Sequence, residues 1–385
     1  MDITLRPGKL TGQIEAISSK SMAHRLLICA AFAHRPTTLV CSNTGEDVAA
    51  TCQCLNALGA HIRKTDHGYQ IHPLRDVPTS AIFPCGESGS TLRFLLPIAG
   101  ALGINATFEL KGRLPHRPLS PLWEEMERMG CTLSRPTEDT IHCTGKLRLG
   151  HYQMNGGVSS QFISGLMMAL PLIDGKTSLA ITGSVESKPY IEMTRQVLQF
   201  FNGDFPGQIV VEGDWSNAAF WLAANALGSE IGITGLSDAS PQGDKIIADL
   251  LPKLREHAAI FAADIPDLVP ILSVVAAVNQ GAVFTNIRRL RLKESDRVAS
   301  TIAMIENLGG QAQATEDTLT IYGTGLRGGI VDSCGDHRIA MSGAIASLVC
   351  PEPVTILNAE CVKKSYPGFW EDFSYLGGTY GKNLR

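Results

Sequence analysis

Apolar positions along this chain gather into short, nearly polar-free runs, and each run is opened by a turn rich in Ser, Thr, Gly and Asp. AHRLLICAAFA follows Ser18-Ser19-Lys20-Ser21, LRFLLPIAGAL follows Gly86-Glu87-Ser88-Gly89-Ser90-Thr91, and FISGLMMALPLI follows Gly157-Val158-Ser159-Ser160-Gln161. AAFWLAANAL follows Gly213-Asp214-Trp215-Ser216-Asn217, LVPILSVVAAV follows Ile265-Pro266-Asp267, and IAMSGAIASLV follows Gly335-Asp336-His337-Arg338, which makes six copies. Helices apolar all round are buried all round. After most copies the pattern changes to one apolar face in every turn, the mark of a second, half-exposed helix. Four of these helices close alike, at Leu55-Asn56-Ala57-Leu58-Gly59, Met126 to Gly130, Val197 to Gly203 and Ile305 to Gly309, with glycine as the stop. Short alternating runs then predict strands, such as Cys131 to Ser134 and Thr318 to Tyr322. Each unit therefore reads as turn, buried helix, strand, amphipathic helix, strand pair. The intervals at Phe205 to Glu212 and His257 to Asp264 are short, which marks the fourth and fifth repeats as trimmed.

The first N–H groups of a buried helix need partners, and Ser, Thr or Asp at the turn supplies them. Capping does not account for Lys20, Arg25, Arg93, Gln161, Lys188, His337 and Arg338 at the same turns. A cap needs no cation, whereas an anion site does. The densest charge lies in Arg289-Leu290-Arg291-Leu292-Lys293-Glu294-Ser295-Asp296-Arg297. It follows the strand-like Ala282-Val283-Phe284 and precedes the helical spacing Val298, Ile302, Ile305, Leu308. Anions meet free N–H groups and a positive dipole end at such a strand-to-helix turn. Glu294, held between Lys293 and Arg297, is suited to proton transfer beside bound anions.

Length and charge narrow the field. A chain of 385 residues exceeds one ordinary core and predicts two domains. A net charge of -4 argues against a nucleic-acid or anionic-membrane partner, so any anion must be small and met by local cations. The ten cysteines are scattered, without CxxC or zinc-like spacing, and read as buried, reduced thiols. Leu26 to Ala33 is the length of a buried helix, and no apolar run reaches the ~18 residues of a membrane span. The expected location is cytoplasmic.

Nine motifs in order resemble the enolpyruvyl transferase family, and within it the 5-enolpyruvylshikimate-3-phosphate synthase branch. They are SSKSMAHR, GESGSTLRFL, PHRPL, SSQFISGLMMALP, ESKPYIEMT, IPD, LKESDR, GDHRIAM and KKSYPGF, spread from Ser18 to Pro367. The resemblance implies a mixed α/β (α+β) fold: a two-lobed inverse α/β barrel of six βαβαββ repeats, with helix N-termini facing a cleft. It places residues 1–18 and 213–385 in one lobe and 19–212 in the other, the chain crossing near Ile17–Lys20 and Val211–Asp214. It implies transfer of the enolpyruvyl group of phosphoenolpyruvate to the 5-hydroxyl of shikimate 3-phosphate, in chorismate and aromatic amino acid biosynthesis. It implies no metal and no organic cofactor, and a monomer is expected.

Carried over by motif, the resemblance gives Lys20, Ser21 and Arg25 as contacts to shikimate 3-phosphate, with Lys20 also facing phosphoenolpyruvate. Gly89 leaves room for phosphoenolpyruvate, Arg93 lines that region, and Arg117 holds its phosphate. Ser159, Ser160 and Gln161 are donors to the shikimate phosphate and ring, with Ser187 and Tyr190 nearby. Asp267 matches the proton acceptor on the 5-hydroxyl, Lys293 a substrate ligand, and Glu294 the acid/base at the methylene carbon. Arg297, Arg338 and Lys364 match clamps on phosphoenolpyruvate, with His337 beside them. Read without the resemblance, Asp267 is also a good N-cap, Gly89 a tight turn and His337 a packing residue. Arg25 on an apolar helix is hard to bury without an anion. Trp215 and Trp221 read as core.

Three positions depart from the family pattern. Glu87 stands where Asn is frequent and would repel a nearby anion unless a cation pairs with it; Phe94 stands where Pro is frequent; Arg289 stands where Asn is frequent. Two other readings compete. A degenerate homologue would bind a phosphorylated small molecule without catalysis. The sister transferase acting on UDP-N-acetylglucosamine usually has Lys-Asn where this chain has Lys20-Ser21, and a catalytic cysteine in the loop corresponding to Arg113–Arg117, which holds none here.

Overall fold

A computed structural model describes residues 1–203 and 207–383. The chain divides into two compact units, Met1–Ile17 with Glu212–Arg385, and Ser18–Val211. In order, β1 (Asp2–Leu5) and β2 (Thr11–Glu15) precede α1 (Lys20–Ala31), β3 (Thr37–Val40), α2 (Glu46–Ala57), β4 (His61–Thr65) and β5 (Gly68–His72). Then come β6 (Ser80–Gly86), α3 (Gly89–Leu102), β7 (Asn105–Leu110), α4 (Leu122–Arg128), β8 (Cys131–Ser134) and β9 (Thr140–Gly145). Next are β10 (Gly150–Asn155), α5 (Ser160–Ala169), β11 (Thr177–Thr182), α6 (Lys188–Asn202) and β12 (Gln208–Val210). The unit that began with β1 and β2 continues with α7 (Trp215–Ala226), β13 (Glu230–Thr234), α8 (Ile247–Lys253), β14 (Ala258–Phe261), α9 (Val269–Val278), β15 (Ala282–Thr285), α10 (Arg297–Asn307), β16 (Gln311–Ala314) and β17 (Thr318–Tyr322). It ends with β18 (Gly329–Asp332), α11 (His337–Ala346), β19 (Val354–Leu357), α12 (Phe369–Tyr375) and β20 (Tyr380–Asn383).

Among the described residues these strands form six sheets, four of four strands and two of two. The sheet β6-β7-β9-β8 shows the unit whole: a parallel pair bridged by buried α3, then amphipathic α4, then an antiparallel hairpin. Chain ends complete other sheets. β1 lies antiparallel to both β19 and β20, β2 lies parallel to β13, and returning β12 lies parallel to β3.

Of the two repeats expected to be trimmed, the fourth is short, but the other short one is the third and not the fifth. The two-stranded sheets are β10-β11 and β13-β2, which carry α5 and α7, the third and fourth buried helices. The fifth unit is complete, as β14-β15-β17-β16. The reason is the order of parts. The hairpin comes last in each unit, so a short interval shortens the unit that ends there, not the next one. The interval from His257 contains β14, and the one ending at Glu212 contains β12; Phe205 and Pro206 lie outside the described residues.

Each unit has its own core. One gathers α7, α9 and α11, with Ile271, Leu272, Val274 and Ile339 fully buried. The other gathers α1, α3 and α5, with Leu27, Leu96, Ile163 and Leu166 almost wholly enclosed. Truncating one such side chain to Ala would cost about 2–5 kcal/mol. Trp215 and Trp221 are core, Trp221 stacking on Phe369 at 5.1 Å. Of the four glycine stops, Gly59, Gly130 and Gly309 have positive φ, whereas Gly203 at φ −95 is an ordinary conformation. The ten cysteines are thiols not joined in disulfides, and of them Cys334 is exposed and the other nine are buried. Among the described residues no helix is long and apolar enough to cross a membrane.

Candidate active site

Buried helix starts carry the caps expected of them. Ser19 accepts from Met22 N, Ser88 from Thr91 N, Ser159 from Gln161 N, Asp214 from Asn217 N and Asp336 from Arg338 N. The exception is α9. Its N-cap is Leu268, which makes no side-chain cap bond, so Asp267 is not a cap.

The Asp267 carboxylate turns to cations. Oδ1 accepts from Arg297 Nη1 at 2.6 Å and lies 3.9 Å from Lys293 Nζ, while Arg338 Nη2 is 3.5 Å from Oδ2. Burial alone would push this carboxyl up, but Lys293, Arg338 and Arg297 outweigh it and hold it well below the usual carboxylate range. Arg297 is the centre of the group. It is 1% exposed, and it also donates to Glu294 Oε2 at 2.7 Å and to Asp336 Oδ2 at 3.0 Å. Burial works against its charge, and Asp336, Asp267 and Glu294 more than restore it. The reach has a local origin: a 3₁₀ turn at Arg288–Leu292 and the Asp296 cap start α10 with Arg297 as its first residue and Glu294 one turn before. Burial lowers the Lys293 ammonium to about 8, against the pull of Asp267.

Arg338 donates to Ser216 O at 2.7 Å, and its guanidinium lies 5.8 Å from the Phe220 ring centre. Lys364 donates to Gly335 O at 2.9 Å, in the turn that starts α11, and His337 is buried as the first residue of that helix. Two acids of this neighbourhood escaped the sequence reading. Asp336 was visible only as a cap in the GDHRIAM motif, yet it also braces Arg297. Asp244 lies in the Gly243-Asp244-Lys245 turn, which opens none of the six buried helices. It is buried, hydrogen-bonded by Ser216 Oγ, and raised to about 7 by burial and by Asp267. Asp267, Lys293, Glu294, Arg297 and Arg338 thus form one contact group with Asp336, while Arg289 sits on the adjoining 3₁₀ turn.

The other unit carries a separate set. Lys20 Nζ pairs with Asp47 Oδ2 at 2.9 Å, a partner the sequence did not suggest. Arg25 is 2% exposed and makes its hydrogen bonds to neutral oxygens: Thr194 Oγ1 at 2.7 Å, Ser21 O at 2.7 Å, Tyr190 O at 3.0 Å and Ser164 Oγ at 3.3 Å. The expectation that it needs an anion to be buried is therefore corrected, because four oxygens and the Phe94 ring at 5.0 Å enclose it. Burial lowers its pKa to about 10, so it stays charged at neutral pH.

Gly89 begins α3 between two arginines. A Cβ there would lie 2.5 Å from Arg93 Nη1 and 2.7 Å from Arg117 Nη1. Arg93 donates to Gln161 Oε1 at 3.2 Å and Pro118 O at 3.2 Å, and Gln161 Nε2 donates to Ser90 Oγ at 2.9 Å. Ser160 is the buried first residue of α5, and Ser187, at φ 56, precedes α6. Glu87 is exposed, its carboxylate packed against Gly112. Cations with amide and hydroxyl donors suit small phosphorylated carboxylates.

Known proteins agree with this chemistry. The family model described as EPSP synthase (3-phosphoshikimate 1-carboxyvinyltransferase) matches residues 5–373. Two curated proteins called 3-phosphoshikimate 1-carboxyvinyltransferase, from Clostridium kluyveri and Clostridium acetobutylicum, are each 38% identical over 416 aligned positions, covering 98% of this chain and 97% of theirs. The solved EPSP synthase of Acinetobacter baumannii shares the mixed α/β fold, with a TM-score of 0.79 at 23% identity over 99% of this chain and 100% of that one. Motifs, fold and full-length similarity converge: the chain belongs to the EPSP synthase (3-phosphoshikimate 1-carboxyvinyltransferase) family.

Proposed function

We propose that this protein transfers the enolpyruvyl group of phosphoenolpyruvate to the 5-hydroxyl of shikimate 3-phosphate and releases phosphate, supplying chorismate and aromatic amino acid biosynthesis. The observation that carries the reading is the contact group of Asp267, Lys293, Glu294, Arg297 and Arg338, in a chain of this family. The hydroxyl oxygen adds to C2 of phosphoenolpyruvate while C3 takes a proton, giving a tetrahedral adduct. Phosphate then leaves C2 and the methyl group returns a proton, which restores the double bond. One group must accept the hydroxyl proton and another must serve the methylene carbon.

Asp267 is the acceptor and Glu294 serves the methylene. Both are held next to Arg297, so the chemistry takes place beside fixed positive charge. Asp267 is ionised, the state an acceptor needs, but three cations keep it a weak base. Anionic substrate groups that draw on Arg297, Arg338 and Lys293 would raise its basicity as they bind. Lys20, Ser21, Arg25, Ser159, Ser160, Gln161, Ser187 and Tyr190 anchor shikimate 3-phosphate. The family motifs assign to phosphoenolpyruvate Lys20, Gly89, Arg93 and Arg117 from one unit and Arg297, His337, Arg338 and Lys364 from the other. No metal or organic cofactor enters the scheme, and the protein works as a cytoplasmic monomer.

A coupled phosphate-release assay with purified protein tests the reading. Phosphate should appear with both substrates together and with neither alone. Well-folded protein that binds shikimate 3-phosphate but releases no phosphate would favour the non-catalytic homologue instead.

A further inference from the structure

Arg25 and Arg297 solve the same problem in opposite ways. Arg297 shares its charge among three carboxylates. Arg25 is as deeply enclosed, yet every hydrogen-bond acceptor around it is neutral. What lies against its face is Phe94, itself 1% exposed, with the ring centre 5.0 Å from Cζ. The ring is buried and has a neighbour at its side. His24 meets it edge-on at 6.4 Å and is fixed by Thr51 Oγ1 at 2.7 Å, which is in turn 2.7 Å from Thr91 Oγ1 on the helix that carries Phe94. We propose that Phe94 is a positioning residue, whose ring face holds the Arg25 guanidinium in place while leaving its charge for an incoming phosphate.

The physical reason is a difference between ring and carboxylate. A buried guanidinium needs a negative potential nearby, and an aromatic face supplies one through its quadrupole. A carboxylate would supply more, but it would also cancel the charge and repel the substrate anion. The ring stabilises the cation without neutralising it. The four oxygens from α1, α5 and α6 set the plane of the fork, and Phe94 from α3 closes one face.

The proposal rests on the reading above, in which Arg25 contacts shikimate 3-phosphate. The test replaces Phe94 with 4-fluoro-, 3,5-difluoro- and 3,4,5-trifluorophenylalanine in the full-length protein. This weakens the quadrupole stepwise at nearly constant shape, and thermal melts confirm folding. The Kd for shikimate 3-phosphate should rise stepwise, roughly tenfold across the series, while KM for phosphoenolpyruvate stays constant. Hydrogen exchange at Arg25 Nε–H, read by NMR on the ligand-free proteins, should quicken in the same order. A flat exchange series overturns the proposal whether or not the protein turns over, and so does an equal rise in both substrate constants. Absence of turnover in the unmodified protein, with exchange still graded, would instead sink the functional reading and leave the cation–ring contact standing.

Discussion

Arg297 Nη1 donates to Asp267 Oδ1 at 2.6 Å across 30 residues of sequence, and the same guanidinium also grips Glu294 and Asp336. One cation therefore holds three carboxylates in place. Arg297→Met should lower the unfolding free energy by about 3–5 kcal/mol, because it strands the fully buried Asp336 beside two half-buried carboxylates. Arg297→Lys should fall between, since an ammonium keeps the charge but cannot fork. Urea titrations of the three proteins check this, and a Met variant as stable as the parent would contradict the cluster.

Asp267→Ala and Glu294→Gln should cost turnover on the order of a thousandfold, with far smaller losses in shikimate 3-phosphate binding. Rapid-quench kinetics paired with calorimetry separates the two effects. Equal losses in binding and turnover would mean that these acids only hold substrate.

Asp244 makes stability depend on pH. Its folded value of about 7 stands above the ordinary carboxyl value of about 3.9. Between those limits the folded protein holds a proton that the unfolded chain has lost. Stability therefore falls as pH rises through that window, and the full penalty is present above it. Asp244→Asn removes the charge and can keep a bond to Ser216. Its melting temperature should match the parent near pH 4 and exceed it above pH 7, by differential scanning calorimetry. A constant offset across pH would rule out a titrating Asp244 as the cause.

Gly89→Ala meets first the ends of two flexible side chains, Arg93 and Arg117. The helix gains a better helix-forming residue, so stability should hold or rise slightly. The cost falls on the arginines: KM for phosphoenolpyruvate should increase by about tenfold while that for shikimate 3-phosphate barely moves. Steady-state kinetics with each substrate varied in turn decides it.

The spacing of apolar residues was enough to find the six buried helices, because a helix apolar on every face has nowhere else to go. The Ser and Asp caps were legible for the same local reason, and so was the placing of Arg289–Arg297 between a strand and α10. Motif order carried the family and the candidate residues. What a sequence pattern records is whether a position faces core or water. It does not record which distant group it meets.

That choice belonged to the tertiary structure. Packing set β1 against β19, pairing Thr4 with a residue 351 positions away, and gave two-stranded sheets to the units of α5 and α7. It turned Asp267 from a plausible cap into a partner of Arg297, brought in Asp336 and Asp244, and enclosed Arg25 with neutral oxygens and a ring. Burial fixes which side chains leave water. The fold alone decides which opposite charge, hydroxyl or ring stands there to receive them, because each comes from another part of the chain.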